Sequence, residues 1–538
     1  MTKPTHRKTW MFPRNVRRIT PWKMVQITML MDTASGNTSD QSYQDQLYWR
    51  LANLNVKQPS TPYLTSNSGG MRTYYSQQVC LGLLWQDHSS KKWETTRAGE
   101  CLIKSKKPID ILQCQLLRMQ YPSVYGLGSQ VRISPELNVK PFVFLVRLLM
   151  DPRLEGRMTE LEFAIPVVYG RTPQDHDKCI EKILALRKGE ELKDQIDSID
   201  DLRTPKRYRP DDPDEDWRTG LQDIQEIGNT AKNYMLGAHM ISASSAKKTY
   251  ELSIDPINDK KLQSWMQEPI EPYPDNKEAW QLRFGRYDKT KVVKHKPNTS
   301  KKNGLKTLIS TNLINSVSDT FFNFSFTDFV EQEAERWGKS PAEVASLIEH
   351  LRDKTSSISR DAIMDAAFSG GKEALTMEKG VASIFKELGF DETEHIGQKT
   401  PANRRGGYPD IRIAKSGSNS CAFGDTKATG RYSFPITDTE KLNTYYKECW
   451  KEFKDNKPSQ FFCYIAGGFA QQIPTVQKKL KEIEKLHGRP VSAVTLRALL
   501  DLLELKEKGK PLTPEQISNA LSKSDIYTSG ACFKLFQK

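Results

Sequence analysis

A segment in the first quarter of the chain has apolar positions at helical spacing, followed by an apolar stretch and a polar turn. It reads MRTYYSQQVCLGLLWQDHSSKKWETTRAGECLI, residues 71–103, and Met71, Tyr75 and Val79 fall four residues apart. That spacing predicts a short amphipathic helix, and WETTRAGE after the polar turn predicts a ribbon. A helix followed by a ribbon is the pattern of a winged-helix-like module.

A second segment, NTAKNYMLGAHMISASSAKKTYELSID at residues 229–255, shows the same order. Residues 230–240 have helical spacing, and Tyr250, Leu252 and Ile254 alternate as in a strand after a turn that contains lysines. We interpret this segment as a second winged-helix-like module, which an ancient duplication would explain.

The last third of the chain changes to an alternation of helices and strands. From Gly380 onward the order is helix, two strands, helix, strand, helix, in the segments VASIFKELGF, YPDIRIA, CAFGDTKA, TEKLNTYYKECWKEF, FFCYIAGGF and VQKKLKEIEKL. This order predicts an α/β domain with a central mixed sheet and helices over its faces. The predicted fold class is therefore multidomain, with a mostly helical N-terminal region and a C-terminal α/β domain.

The length of 538 residues is too great for one ordinary core, so we expect several domains. Polar stretches at 207–217, 291–304 and 330–372 are interpreted as connections or domain edges, and the acidic run at 207–217 as a solvated loop. The predicted division has two winged-helix-like subdomains that recognise a ligand, a helical linker and the α/β domain: 1–190, 191–330, 331–372 and 373–538.

The balance of charge favours a polyanionic partner such as nucleic acid. Lysine and arginine number 80 against 66 acids, which gives a formal charge of +14 and a pI near 9.1. Residues 1–31 contain basic residues and no acid, so Arg14, Arg17 and Arg18 are candidate phosphate contacts. The stretch has no apolar core of a secretion signal, and no run of eighteen apolar residues occurs, so we expect neither export nor a membrane partner.

The 8 cysteines include no CxxC pair and show no regular spacing. That pattern favours neither a disulfide framework nor a zinc site, and it is typical of reduced core cysteines in a cytoplasmic protein.

The two predicted N-terminal helices supply candidates for contact with double-stranded DNA. Arg72 and Gln77 on the first helix have side chains of the length that reads base edges in a major groove, and Lys232 and Asn233 on the second are further DNA-binding candidates. Winged helices also serve as packing or protein-interaction modules, so both interpretations stay open.

The two predicted strands of the C-terminal hairpin carry charged residues at their facing ends. Fourteen residues separate Asp410 from Asp425, with the turn-forming SGSNS between them. A turn centred between Gly417 and Ser418 places the two aspartates opposite each other, and Lys427 shares a strand face with Asp425. Facing carboxylates repel, and Mg2+ would compensate their charge. Ordinary salt bridges between surface strands, with Lys427 as a surface lysine, are the alternative.

These residues match the P-D-x(n)-(D/E)-x-K pattern of a large nuclease fold. The resemblance implies that Asp410, Asp425 and the main-chain carbonyl of Thr426 hold Mg2+. It also implies that Lys427 orients the attacking water and stabilises charge on the phosphate.

An additional acid from the helix just upstream is also implied by this resemblance. Glu378, eleven residues before Gly389, is our choice for this catalytic position, and Glu373 is the alternative.

The segments GDTKATGRYSFPI, FFCYIAGGF and GKPLTPEQI resemble the cleavage domain of FokI-type IIS restriction enzymes over most of residues 375–525. The positions with the same residue types are Gly430, Tyr432, Pro435, Ile436 and Tyr445. That family's domain pairs with a copy of itself through an acid and an arginine; here Glu440 matches the acid, but Thr444 stands in place of the arginine. A transient homodimer, a small-subunit partner and cleavage of one strand therefore all stay open.

The N-terminal segments HRKTWMFPRNVRRITPWKM, TTRAGECLIKSKKPIDILQCQLLRMQYPS and PFVFLVRLL resemble AlwI-like type IIS endonucleases and the large subunits of related nicking enzymes. Together the resemblances imply a Mg2+-dependent enzyme of the bacterial cytoplasm that binds a short asymmetric duplex sequence and cuts a few base pairs outside it, with a cognate DNA methyltransferase encoded nearby. The alternatives are a nicking subunit, a DNA-binding protein with an inactive nuclease-like domain, and an RNase or repair nuclease.

Overall fold

The computed structural model describes residues 4–14, 16, 18–32, 40–53, 71–87, 93–123, 132–205, 212–243, 249–272, 277–286, 303–369, 371, 373–397, 409–418, 421–442, 445, 459–471 and 473–528. The chain divides into two compact units. The first comprises Met1–Ser242, Tyr250–Asn312 and Trp337–His350, and the second comprises Ala243–Thr249, Leu313–Arg336 and Leu351–Lys538.

Helices dominate the described part of the N-terminal half. They are α1 (Pro21–Asp32), α2 (Gln41–Asn53), α3 (Met71–Cys80), α4 (Arg97–Lys104), α5 (Pro108–Arg118), α6 (Pro141–Met150), α7 (Ala164–Tyr169), α8 (His176–Arg187), α9 (Pro213–Gly237), α10 (Lys260–Gln267) and α11 (Lys277–Phe284). The strands among them are β1 (Leu84–Gln86), β2 (Trp93–Thr95), β3 (Arg157–Thr159), β4 (Ile241–Ala243) and β5 (Thr249–Leu252). The prediction of a mostly helical N-terminal region is confirmed.

The remaining elements begin with five helices and continue as an α/β alternation. The helices are α12 (Asn303–Thr320), α13 (Phe326–Trp337), α14 (Pro341–Arg352), α15 (Thr355–Ala367), α16 (Ala374–Glu387), α17 (Ile436–Glu440), α18 (Ile473–His487), α19 (Leu496–Glu507) and α20 (Pro514–Leu521). The strands are β6 (Glu394–His395), β7 (Ile411–Ala414), β8 (Cys421–Lys427), β9 (Ser459–Ala466), β10 (Val491–Thr495) and β11 (Ile526–Tyr527). No helix among the described residues has the length and apolar character that crossing a bilayer requires.

Both N-terminal segments singled out by their hydrophobic pattern contain a helix followed by short strands. In the first, α3 precedes β1 and β2, which pair antiparallel with Leu84 opposite Thr95. In the second, α9 precedes β4 and β5, which belong to a sheet with the order β3-β5-β4. The local order of elements is therefore confirmed, while the winged-helix interpretation stays a prediction.

The helix α9 begins inside the acidic run that we expected to be a solvated loop. The Asp212 carboxylate caps the helix by accepting a hydrogen bond of 3.0 Å from the Glu215 amide, and Pro213 occupies the first turn. Acidic side chains in a first turn are also favoured by the helix dipole. The loop expectation is thus wrong for residues 212–217, and residues 206–211 lie outside the described part of the chain.

The described strands of the second unit form a mixed six-stranded sheet with the order β11-β10-β9-β8-β7-β6. The strands β8, β9, β10 and β11 run parallel, and the hairpin of β7 with β8 and the pair of β6 with β7 are antiparallel. The predicted mixed sheet is confirmed.

Both faces of this sheet are buried, so the middle of the central strand β9 is apolar at consecutive positions rather than at alternate ones. In β9, Phe461, Cys463 and Ile465 point into one core and Phe462, Tyr464 and Ala466 into the other. Residues of α15, α16, α19 and α20 complete the first core, and residues of α18 complete the second. The two cores hold the strand ends of the β7–β8 hairpin in place.

Candidate active site

The register of the β7–β8 hairpin brings its two aspartates together. Ile411 lies opposite Gly424, so the preceding residue, Asp410, lies opposite Asp425. The Asp410 amide donates a hydrogen bond of 3.3 Å to Oδ1 of Asp425. The predicted facing arrangement of the two aspartates is confirmed.

The Asp410 carboxylate is surrounded by more negative than positive charge. Burial, the Asp425 carboxylate and the Glu378 carboxylate raise its pKa to about 8, and the Thr426 amide and Lys427 oppose this shift only in part. The Thr426 amide donates to Asp410 Oδ2 at 2.6 Å, and the Thr426 hydroxyl lies 3.1 Å from the same oxygen. Asp410 is therefore a carboxyl group that a nearby cation would ionise.

Asp425 is the most enclosed of the acids, with only 4% of its surface exposed. Burial raises its pKa, while Lys427 and the hydrogen bond from the Asp410 amide lower it. A core strand would not retain such a side chain for packing alone, because burying an incompletely compensated carboxylate costs stability.

The Lys427 ammonium lies between two carboxylates. Its Nζ is 3.4 Å from Asp425 Oδ2 and 3.1 Å from Asp438 Oδ2. Burial lowers the pKa of Lys427, but the two aspartates raise it by more than burial lowers it, so the net shift is upward. Lys427 is thus held as a cation beside the paired aspartates, and it is not an ordinary surface lysine.

Of the two upstream glutamates, Glu378 on α16 faces the hairpin. A Cβ placed on Gly397 would lie 3.2 Å from Asp410 Oδ1 and 3.4 Å from Glu378 Oε2, so both carboxylates border the space beside this glycine. Glu378 Oε2 also lies 2.7 Å from Nε2 of His395. Glu373, by contrast, precedes α16 and accepts a hydrogen bond from the Thr376 hydroxyl at an exposed position.

Two residues of this site, His395 and Asp438, were missed from the sequence. His395 lies on the edge strand β6, and Asp438 lies on the short helix α17. Neither belongs to the hairpin pattern. The signal that could have suggested Asp438 is its position eleven residues after Lys427, in the next element along the chain.

The acids at this site have the chemistry of a site for Mg2+. Hard carboxylate oxygens are the donors that Mg2+ prefers, and the raised pKa values of Asp410 and Asp425 indicate negative charge without enough compensation. Within the described residues, no three acidic, histidine or cysteine side chains already stand in a coordinating arrangement. The residues fit a divalent cation bound by two carboxylates together with main-chain and water oxygens.

The candidates for base reading on α3 are placed differently from one another. Arg72 is exposed, whereas Gln77 is completely buried and donates hydrogen bonds to the Val16 carbonyl at 2.8 Å and to the Tyr234 hydroxyl at 2.9 Å. Gln77 thus holds two elements of the protein together and does not present its amide to a groove. We retain Arg72 alone of this pair as a candidate for the interface.

The two candidates on α9 also make contacts within the protein. Lys232 is buried, forms an ion pair with Glu160 and lies 4.9 Å from the centroid of the Tyr250 ring. Asn233 is half-buried and donates a hydrogen bond of 2.8 Å to Asn229. Lys232 therefore contributes to packing, and Asn233 lies closer to the surface.

The basic N-terminal segment is partly neutralised within the first unit. Arg14 forms ion pairs with Asp223, at 2.5 Å, and with Glu226, and Arg7 also pairs with Asp223. Arg18 is half-buried, and Arg17 lies outside the described residues. Part of the positive charge of residues 1–31 is therefore neutralised by acids of α9, and that part needs no phosphate partner to explain it.

The C-terminal part of the chain matches a known family model. Residues 339–528 match the model described as the FokI cleavage domain. This region is a FokI-type cleavage domain. The match supports a nuclease role for this C-terminal region, and it does not extend to the N-terminal region. No comparison addresses the narrower AlwI-like resemblance, which stays a prediction.

Solved structures give only weak similarity. The restriction endonuclease FokI aligns at 12% identity over 94% of this chain and 98% of that chain, with a TM-score of 0.28. FokI bound to DNA aligns at 11% identity over 94% of this chain and 97% of that chain, with a TM-score of 0.27. The BpuJ1 endonuclease binding domain, in complex with modified DNA, aligns at 13% identity over 49% of this chain and 91% of that chain, with a TM-score of 0.31. These scores add nothing to the family match. No sequence among curated proteins matches the chain.

Proposed function

We propose that the chain is a type IIS restriction endonuclease, which binds a short asymmetric sequence in double-stranded DNA through its N-terminal region and hydrolyses phosphodiester bonds a few base pairs outside that sequence, with Mg2+ as cofactor. The observation that carries the proposal is the convergence of Asp410, Asp425 and Lys427 within a FokI-type cleavage domain. A complete set of these three groups also argues against a nuclease-like domain that is only structural.

Asp410, Asp425 and the Thr426 carbonyl would hold the cation. Bound Mg2+ supplies a Lewis acid for a phosphate oxygen and lowers the pKa of a bound water. Lys427, held as a cation by its carboxylate neighbours, orients the attacking water by hydrogen bonding and offsets the negative charge that grows on the phosphate. Glu378, which borders the same space as Asp410, completes the acidic side of the site.

Cleavage outside the recognised sequence follows from the separation of the two tasks along the chain. The cleavage residues lie within 378–427, whereas the exposed candidate for base contact, Arg72, belongs to the N-terminal helical region. A cutting domain attached beside a reading region reaches phosphates that the reading region does not cover. The partners proposed on this basis are duplex DNA, a second copy or a small subunit for cutting both strands, and a DNA methyltransferase that protects bacterial host DNA.

The deciding experiment is incubation of supercoiled plasmid and bacteriophage DNA with the purified full chain and Mg2+, with EDTA in a parallel reaction. Discrete linear fragments with ends at a fixed offset from one asymmetric sequence would support the whole proposal. Nicked circles with the same offset would support a nicking subunit that needs a partner for the other strand. Binding of one sequence without cleavage under Mg2+, Mn2+ or Ca2+ would overturn the catalytic assignment.

A further inference from the structure

Asp438 contacts the catalytic lysine from outside the hairpin. It lies in the first turn of α17, and its Oδ2 is 3.1 Å from Lys427 Nζ. This distance is shorter than the 3.4 Å that separates Lys427 from Asp425. The carboxylate nearest to the catalytic lysine is thus one that belongs to neither strand of the hairpin.

Three further contacts hold Asp438 in this position. The Tyr432 hydroxyl donates a hydrogen bond of 3.1 Å to Asp438 Oδ2, and Lys441 Nζ lies 3.4 Å from Oδ1. The Tyr464 hydroxyl donates a hydrogen bond of 3.2 Å to the Asp438 main-chain carbonyl. Both the side chain and the backbone of Asp438 are therefore fixed, with 16% of the side chain exposed.

The tyrosines that make these contacts are themselves part of a packed aromatic cluster. The ring centroids of Tyr432 and Tyr464 lie 5.2 Å apart, and Phe434 and Phe469 pack around them. The Tyr432 ring also lies 5.5 Å from Lys427 Nζ. The Tyr432 hydroxyl that orients Asp438 thus belongs to a side chain fixed by packing. Such fixing is needed for a supporting contact to hold a catalytic group within a fraction of an ångström.

Charge favours Asp438 as the lasting counterion of Lys427. Burial raises the pKa of Asp438, but Lys427 and the Tyr432 hydrogen bond lower it more, so the carboxyl group stays ionised near neutral pH. Asp425 differs from Asp438, because a metal ion bound by the paired aspartates would compete with Lys427 for the Asp425 carboxylate. Within the described part of the chain, the other ion pair of Asp438 is with Lys441, at the longer distance of 3.4 Å.

We propose that Asp438 is a positioning residue of the cleavage reaction, which holds the Lys427 ammonium in the orientation that serves the attacking water and the scissile phosphate. The inference rests on the proposed function, since it assigns Asp438 a role through Lys427. In this role Asp438 acts through its ion pair with Lys427 and not on the phosphate directly.

The test compares Asp438→Asn with the unmodified chain in steady-state and single-turnover cleavage of its DNA and in equilibrium DNA binding. Asparagine keeps the shape and an acceptor oxygen but removes the charge, so kcat should fall roughly 10- to 100-fold, the range typical of groups that support a catalytic residue. KM, the dissociation constant for DNA and the midpoint of thermal unfolding should stay within about twofold or about 2 °C of the unmodified values. A matched control is Asp501→Asn, which removes a carboxylate from an ion pair with Arg497 on α19 and should change none of these quantities.

Two further variants separate a positioning role from a merely structural one. Asp438→Glu restores the charge and should recover part of kcat, and Tyr432→Phe removes only the hydroxyl that orients the carboxylate and should lower kcat by a smaller factor. If the unmodified chain cleaves and Asp438→Asn has the same kcat, this inference is overturned and the proposed function stands. Equal loss of DNA binding and of thermal stability in Asp438→Asn would also overturn it, in favour of a structural role. An unmodified chain that binds but never cleaves would overturn the proposed function together with this inference.

Discussion

The cleavage domain and the N-terminal region both concentrate charged side chains, but the charges are balanced in one region and not in the other. In the N-terminal region, Arg14 lies between Asp223 and Glu226, and Lys232 pairs with Glu160. In the cleavage domain, Asp410 stands beside other carboxylates, and its pKa is raised to about 8. Balanced pairs stabilise a fold, whereas repelling charges persist at a cost and mark a place where something else must supply the compensation.

This difference changes how each group of charged residues is interpreted. The basic residues near the N-terminus suggested phosphate contacts by number alone, and the structure supplies acids of α9 as partners for two of them. The hairpin acids suggested a cation site by their facing positions, and within the described residues the cation beside them is Lys427. Unbalanced charge is thus better support for a function than an excess of one charge along the sequence.

The largest effect is expected for Asp425→Ala. Loss of this carboxylate removes a cation donor and a contact to Lys427, so cleavage should fall by more than ~10³-fold. Binding to the target duplex, measured by gel shift in Ca2+, should stay unchanged because the proposed DNA-reading residues belong to the N-terminal region. Cleavage at even a tenth of the normal rate would refute the assignment of the site.

Asp410→Asn is expected to raise stability while it abolishes cleavage. The carboxyl pKa is about 8 in the folded protein against an ordinary value of 3.8, so between these values folding takes up a proton, and the stability of the metal-free protein falls as pH rises. Asparagine cannot lose a proton, and near pH 9 the variant should be more stable by a few kcal/mol in denaturant unfolding with EDTA. At pH 4 the two proteins should differ little. The same pH dependence in both would contradict the raised pKa.

The balanced pairs of the N-terminal region should respond in the opposite direction. Asp223→Asn removes the carboxylate that pairs with the buried Arg7 and with Arg14, so the free energy of unfolding should fall by roughly 3 kcal/mol. The slope of DNA affinity against salt concentration should not change if these arginines serve the fold rather than phosphate. A steeper or shallower slope would instead support a phosphate contact by Arg14.

The smallest expected effect distinguishes the two upstream glutamates. Glu378→Gln should lower kcat by roughly 10- to 100-fold, because Glu378 borders the same space as Asp410. Glu373 immediately precedes the same helix and is exposed, so Glu373→Gln serves as the matched control and should cleave normally. Comparable losses in both variants would mean that the helix position, and not the carboxylate, matters.

The sequence by itself determined the features that depend on neighbours along the chain. The alternation of strands and helices, the turn after Ala414 and the pairing of Asp410 with Asp425 all follow from local spacing, because a hairpin register is set by its own turn. The family motif was also readable, since it lies within one hairpin.

Only the tertiary structure decided the features that depend on elements distant in sequence. Helical spacing grouped Gln77 with polar neighbours, but it could not show that Val16 and Tyr234 cover that residue. The spacing of Glu373 and Glu378 also gave no means of choosing between them, because the choice depends on where Asp410 and Gly397 lie. Asp438 reaches Lys427 because the fold places α17 beside the end of β8. Periodicity reports which side chains share a face of one element, and it carries no information about which other element packs against that face.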